Sequence, residues 1–194
     1  MNEEKNITGI ILAGGKSSRM KSEKGLVLLD DKPFIQHIIE AIRPLVSQLV
    51  IVSGNSDYDV FGIKRVEDII PESGPIAGLH SGLTYSTTEN NLVVSCDVPL
   101  VTTSFLKQLL QNEKEDHDII QFEVEGKTMP LIAVYKKRCT EKCLELLTKG
   151  ERRLRMLMHE LQVKTIPVSE KEQYLTTNIN TIEDLKAIRD AIDH

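Results

Sequence analysis

Short runs rich in Val and Ile alternate with longer segments of helical apolar period along most of this 194-residue chain. That alternation constrains the fold more than any other feature. The runs are Ile7–Leu12, 49–53, 92–96, Ile119–Val124, 131–135 and 163–168. Several lack polar alternation, as strands covered on both faces of a sheet do. Between them, Pro33 can take an early helix position, and Ile35, Ile38, Ile39 and Ile42 make one apolar stripe that Pro44 ends. Further helices are expected at Thr103–Gln111, 139–149, 151–161 and 181–192. The last opens on a Thr181/Asp184 capping box and is buried through Leu185, Ile188 and Ile192. Gly150 suits a left-handed cap between two helices. A turn near Gly126 predicts a hairpin within 121–135, and hence one antiparallel strand.

Alternating strands and helices predict an α/β fold, a three-layer α/β/α sandwich around a Rossmann-like, mostly parallel sheet, in a single domain over residues 1–194. Ligands of such sheets bind at the carboxyl ends of the strands. The net charge of -5 argues against a nucleic-acid partner, whose footprint is a basic surface. Cys96, Cys139 and Cys143 form no Cys-x-x-Cys pair, so neither a disulfide framework nor a zinc site is expected. The apolar stretch at 7–12 is too short for a signal peptide or a membrane span. The expected location is cytoplasmic, with no membrane partner.

The chemistry-bearing residues fall at the predicted strand ends. Leu12-Ala13-Gly14-Gly15-Lys16-Ser17-Ser18-Arg19-Met20 follows the first run, with Lys24 close behind. Two adjacent glycines let backbone N–H groups approach phosphate oxygens, and Arg19 and Lys24 add positive charge; a plain glycine turn is the alternative. Neither Gly-x-Gly-x-x-Gly nor the P-loop pattern is present. Ser95-Cys96-Asp97-Val98-Pro99-Leu100 ends a buried run, so Asp97 can hold Mg²⁺ through one carboxylate or cap the next helix. Cys96 reads as a buried strand residue rather than a nucleophile. Gly74, Gly78 and Gly82, at four-residue spacing, allow close helix packing or backbone approach to a base. Asn55 suits a turn, and Asn178 and Asn180 suit helix caps. The five histidines show no ligand pairing.

Leu12-Ala13-Gly14-Gly15, Arg19-Met20, Lys24-Gly25 and Pro33 together resemble the opening of the nucleotidyltransferases that include the sugar-nucleotide pyrophosphorylases, and most closely the molybdenum cofactor guanylyltransferase, or MobA, family. Lys21 stands where that family commonly has glycine. The resemblance runs from Ile10 to Leu185 and implies a sheet of the nucleotide-diphospho-sugar transferase type. It implies GTP contacts at Leu12, Ala13, Gly14, Gly15, Lys24, Asn55, Asp68, Gly78 and Asp97, with Asp97 the metal ligand. It sets Asn178 and Asn180 on the pterin side, where amides match a lactam and amino edge. Gly150-Glu151-Arg152-Arg153-Leu154 is similar to a basic segment of the family, although a solvated helix face accounts for it equally.

The implied activity is Mg²⁺-dependent transfer of GMP from GTP to the phosphate of molybdopterin, with Lys24, Arg19 and Asp97 as catalytic groups. Other proteins of molybdenum-cofactor biosynthesis are the implied partners. The alternatives are a transferase using CTP or a sugar-phosphate acceptor, and a non-catalytic GTP-binding assembly protein.

Overall fold

Strand β1 (Ile7–Leu12) runs through the middle of the sheet, and its side chains feed both flanking layers. The computed structural model describes residues 6–14, 23–71, 73–112 and 116–180, with Asp184 and Lys186. After β1 comes a short antiparallel pair, β2 (Leu28–Leu29) and β3 (Lys32–Pro33), and then helix α1 (Phe34–Ile42). Next are β4 (Gln48–Val52), β5 (Lys64–Val66), α2 (Pro75–Tyr85), β6 (Asn90–Ser95) and α3 (Thr103–Gln111). A hairpin of β7 (Ile119–Val124) and β8 (Lys127–Lys136) leads to α4 (Cys139–Thr148), α5 (Leu154–Glu160) and β9 (Val163–Pro167). Among the described residues, seven strands form one sheet in the order β5-β4-β1-β6-β8-β7-β9. Only β8 runs against its neighbours, β6 and β7; the other pairings are parallel.

The period of two along each strand divides the core. Ile11, Ile51, Leu92, Val94, Ile120 and Val134 pack with Ile38 and Ile42 of α1 and Phe105 of α3. Ile10, Val50, Val52, Val93, Ala133 and Tyr135 pack with Leu79 and Leu83 of α2, Cys143 of α4 and Leu157 of α5. Burying one such side chain contributes about 1.5–3 kcal/mol, so both faces of the sheet are driven to be covered. The predicted α/β/α sandwich is therefore present, with its mostly parallel sheet and its one antiparallel strand.

Local chemistry explains the boundaries. Glu125 and Gly126 both have positive φ (51° and 77°), which makes a two-residue hairpin turn that matches the twist of its strands. Gly150 follows α4 at φ 77°, the left-handed cap expected of it. Pro33 stands just before α1 as its N-cap instead of inside its first turn. Helix α5 starts at Leu154 and not at Glu151, because the Glu151 carboxylate accepts the backbone N–H groups of Arg152 and Arg153, each at 2.9 Å.

Helix α2 shows the close packing that its glycines allow. A Cβ at Gly82 would lie 2.5 Å from Ile10 Cγ2, so Gly82 lets the helix settle onto β1; overpacking there costs about 1–3 kcal/mol. No helix among the described residues is long and apolar enough to cross a membrane. The predicted helix at 181–192 lies outside the described residues, apart from Asp184 and Lys186.

Candidate active site

Three parallel strands run out together at one edge of the sheet. Ala13 N–H donates to Val52 O and Cys96 N–H to Leu12 O, both at 3.0 Å, so β4, β1 and β6 end level with one another. The Ala13 amide is thus committed to the sheet, and the chain leaves it at Gly14. Gly15 and Arg19, both expected at the triphosphate, lie outside the described residues. The chain is described again from Glu23, and Lys24 opens a single 3₁₀ turn, Lys24–Leu26.

The apolar run of β6 ends at Ser95, and buried Val98 and Val101 hold down the turn that follows, which leaves Asp97 at the strand's carboxyl end. Lys24 Nζ lies 3.5 Å from Asp97 Oδ2 and also donates to Asn180 Oδ1. The two charged side chains keep 23% and 15% of their surface exposed, which places them at the mouth of a cleft and not in the core. Ile179 N–H donates to Asp97 O at 2.9 Å, and its fully buried side chain packs with Leu29 and Phe34. That anchor fixes both neighbours: Asn178 lines a cavity beside Asp97, and Asn180 meets Lys24.

On the other side of β1, Asp68 follows β5. A Cβ on Gly78 of α2 would lie 3.5 Å from Asp68 Oδ1 and 3.5 Å from Leu12 Cδ2, so these three expected residues share one place. Among the described residues Asp68 Oδ1 is buried without a hydrogen-bond partner, and burial pushes its carboxyl above the usual aspartate range. A shielded acceptor of this kind suits ligand N–H groups. Asn55 acts as a turn residue: its Oδ1 accepts Asp57 N–H at 2.9 Å and caps the 3₁₀ turn Ser56–Phe61.

The MobA-like NTP transferase domain model matches residues 9–165. The chain belongs to that family. A probable molybdenum cofactor guanylyltransferase of Flavobacterium johnsoniae is 38% identical over 92% of this chain and 94% of its own length. A molybdenum cofactor guanylyltransferase of Yersinia pestis is 36% identical over 92% and 93%. Among solved structures, a molybdopterin-guanine dinucleotide biosynthesis protein A from Archaeoglobus fulgidus superposes with a TM-score of 0.82 at 25% identity, over 96% of this chain and 98% of that one.

In this MobA-like transferase Cys96 is 5% exposed, and burial pushes its thiol up to about 12, so it stays protonated and inert. Cys139 and Cys143 are core residues under α2 and α5. Among the described residues no three His, Cys, Asp or Glu side chains cluster as a preformed metal site. Beside Lys24 and Asn180 the carboxylate on offer is that of Asp97. That fits a Mg²⁺ ion that completes its shell with substrate phosphates and water, as it does in phosphoryl-transfer sites.

One wall of the cleft escaped the sequence reading. A cavity of about 160 Å³ beside Asp97 is lined by Ser95, Val98, residues 128–132 of β8, Leu154 and Asn178. Residues 131–135 read only as a buried strand. Pro130 just before them was the available signal, because proline inside a strand marks an edge or an irregularity.

Proposed function

We propose that this chain transfers GMP from GTP to the phosphate of molybdopterin, releasing pyrophosphate, with Mg²⁺ held at Asp97. The observation that carries the reading is the meeting of Lys24, Asp97 and Asn180 at the carboxyl end of β6. Lys24, the acidic strand end and the Asn pair close on one point, with the cavity at Asn178 beside it and Asp68 and Gly78 across β1.

The acceptor phosphate is already an anionic nucleophile, so the reaction needs no general base. One of its oxygens bonds to the α-phosphorus of GTP as the bond from that phosphorus to the β-phosphate oxygen breaks, and the pyrophosphate leaves with the electron pair. What remains for the protein is alignment and charge neutralisation. Lys24 turns its ammonium toward the leaving pyrophosphate, together with Arg19 and the backbone N–H groups of Gly14 and Gly15. The chemistry a magnesium ion at Asp97 supplies is neutralisation of charge on the phosphate oxygens. Leu12 and Ala13 floor the nucleotide, Asp68 accepts from the N–H edge of guanine, and Gly78 leaves space for the base. Asn55 borders the ribose. Asn178 and Asn180 face the pterin.

The test incubates the purified chain with molybdopterin, Mg²⁺ and each nucleoside triphosphate in turn, following pyrophosphate. Guanine presents two adjacent N–H donors, N1 and N2, to the Asp68 carboxylate, and cytosine only its N4 amino group; a group left unpaired costs about 1–3 kcal/mol, so GTP should exceed CTP in kcat/KM by about tenfold or more. Equal kcat/KM with the two would remove the guanylyl assignment, and no turnover with any triphosphate would leave only a binding protein.

A further inference from the structure

The β7–β8 ladder contains an excess that its hairpin does not require. Gln121 of β7 faces Ala133 of β8, but the next residue, Phe122, faces Met129. Three residues of β8, 130–132, are thus crowded into a step where β7 uses none. On the other flank Ile132 still faces Val94 of β6, so Pro130 and Leu131 have no register partner on either neighbour. A regular ladder would carry β8 on beside Ser95. Instead the excess opens the cavity next to Asp97, walled by Thr128, Pro130, Leu131, Leu154 and Asn178. Irregularities of this kind next to active sites re-aim chain and persist because they serve the site.

The excess is tied down by one group. Tyr135, fully buried, donates its hydroxyl to Pro130 O at 2.6 Å, from five residues further along the same strand. Burial pushes this phenol's titration up, so it remains a donor at every working pH. Its ring is held by the α4 layer, with Cys139 and Cys143 in the same cluster. The buried layer under α4 is in this way joined to the cavity wall.

We propose that residues 130–132 form the platform on which the acceptor's ring lies, and that Tyr135 is a positioning residue that holds this platform through the Pro130 carbonyl. Strand order separates the two substrates: Asp68 and Gly78 lie toward β4 and β5, whereas the cavity lies on the β6 and β8 side, with Asn178. The cavity holds about ten times the space one water needs, and it pairs apolar walls with the Asn178 amide, the Ser95 and Thr128 hydroxyls and the Asp97 carboxylate, a lining that suits a flat heterocycle with a polar edge. A phosphate carried by that ring would then point to Asp97 and Lys24.

The proposal rests on the guanylyltransferase reading, and its test keeps the two apart. Steady-state pyrophosphate release is measured for wild type, Tyr135→Phe and Leu131→Ala, with GTP and molybdopterin varied separately, beside a melting curve. Tyr135→Phe keeps the ring and loses one hydrogen bond; KM for molybdopterin should rise about three- to tenfold with KM for GTP unchanged. Leu131→Ala, which touches the cavity directly, should show the same split. A lowered melting point with both KM values unchanged in Tyr135→Phe would make the tyrosine purely structural and overturn the proposal. Should Tyr135→Phe fail to fold, an unchanged molybdopterin KM in Leu131→Ala overturns it equally. No turnover of molybdopterin by the wild type would instead sink the underlying reading, and the platform with it.

Discussion

The two edges of the sheet use their polar groups differently. At the amino edge many buried groups close on one another, although Asn90 Oδ1 and Asn91 Oδ1 there have no hydrogen-bond partner among the described residues. Thr8, Ser86 and Thr88 hold their hydroxyls 2.8–3.2 Å apart, and Thr8 N–H donates to Thr88 Oγ1 at 2.9 Å. Lys137 closes the carboxyl end of α2 by donating to Leu83 O, to Thr84 O at 3.1 Å and to Ser86 O at 2.6 Å. Asp118 takes Arg138 Nε at 2.5 Å on one oxygen and Gln162 N–H at 2.8 Å on the other. At the carboxyl edge the pairing is looser. Lys24 and Asp97 stand 3.5 Å apart, Asp68 Oδ1 has no partner among the described residues, and Asn178 is exposed. A buried polar group left unmatched costs about 1–3 kcal/mol, so such groups persist where a ligand completes them. The amino edge ties Thr8, Ser86, Thr88, Lys137 and Asp118 into the fold, and the carboxyl edge leaves Asp68, Asp97 and Asn178 open to a ligand.

The largest expected effect tests the open edge. Asp97→Asn keeps shape and removes the carboxylate proposed as the Mg²⁺ ligand, so on that proposal kcat should fall by at least about 100-fold, given the several kcal/mol that a catalytic metal contributes. Its melting point should stay within about 2 °C of wild type, since the residue spans a cleft and anchors no core. Retention of more than a tenth of wild-type turnover would break the contrast at its strongest point.

The closed edge should respond the other way. Thr88→Val leaves Thr8 N–H buried without an acceptor, for about 1–3 kcal/mol, or a melting point lower by roughly 2–10 °C in a chain of this size. Turnover by the folded fraction should be unchanged. Calorimetry with a parallel activity assay at 20 °C measures both, and a fall in kcat/KM without a fall in melting point would mean that the edges are not divided as described.

The smallest effect sharpens the comparison, because it predicts a gain. Burial raises the Asp68 carboxyl pKa in the native state, so the folded chain keeps that proton to a higher pH than the unfolded chain does. The group therefore costs stability as pH rises from the ordinary aspartate value through the raised one, and the full cost is felt above that window. Asp68→Asn should raise the melting point at pH 7 by about 1–3 °C, with the gain vanishing near pH 3, while GTP binds more weakly. A lower melting point at pH 7 would show that Asp68 is matched in the ligand-free protein after all.

Much of this was legible in the residues, for reasons specific to each element. Strands β1, β6 and β7 are apolar on both faces, so their runs stood out without alternation. Thr102 caps α3 through its hydroxyl, which accepts Phe105 N–H at 3.2 Å, and the helix covers the expected Thr103–Gln111. Asp97 was visible because a buried run stops at an acid with a proline, Pro99, two residues on. Helix α2 was harder: residues 76–83 are all buried, so it carries no polar face to give a helical period, and its glycines drew attention to a ligand instead. Strand β5 is three residues long and largely charged, an edge strand that no apolar run announces. The crowding at residues 130–132 depends on register between two strands, which local pattern does not encode.

The tie between Lys24 and Asn180 joins residues 156 apart in the chain, and its companion to Asp97 spans 73. The Lys24–Asn180 separation exceeds the 83 residues between the paired strands β1 and β6, so by loop-closure entropy that contact is expected to form after the centre of the sheet. A molecule whose residues 177–180 have not yet docked over β6 has its sheet but only part of its cleft. Transfer activity then becomes a reporter of completed folding: pyrophosphate release during refolding should lag behind the recovery of helical signal, and the lag measures the time that the far end of the chain takes to come home.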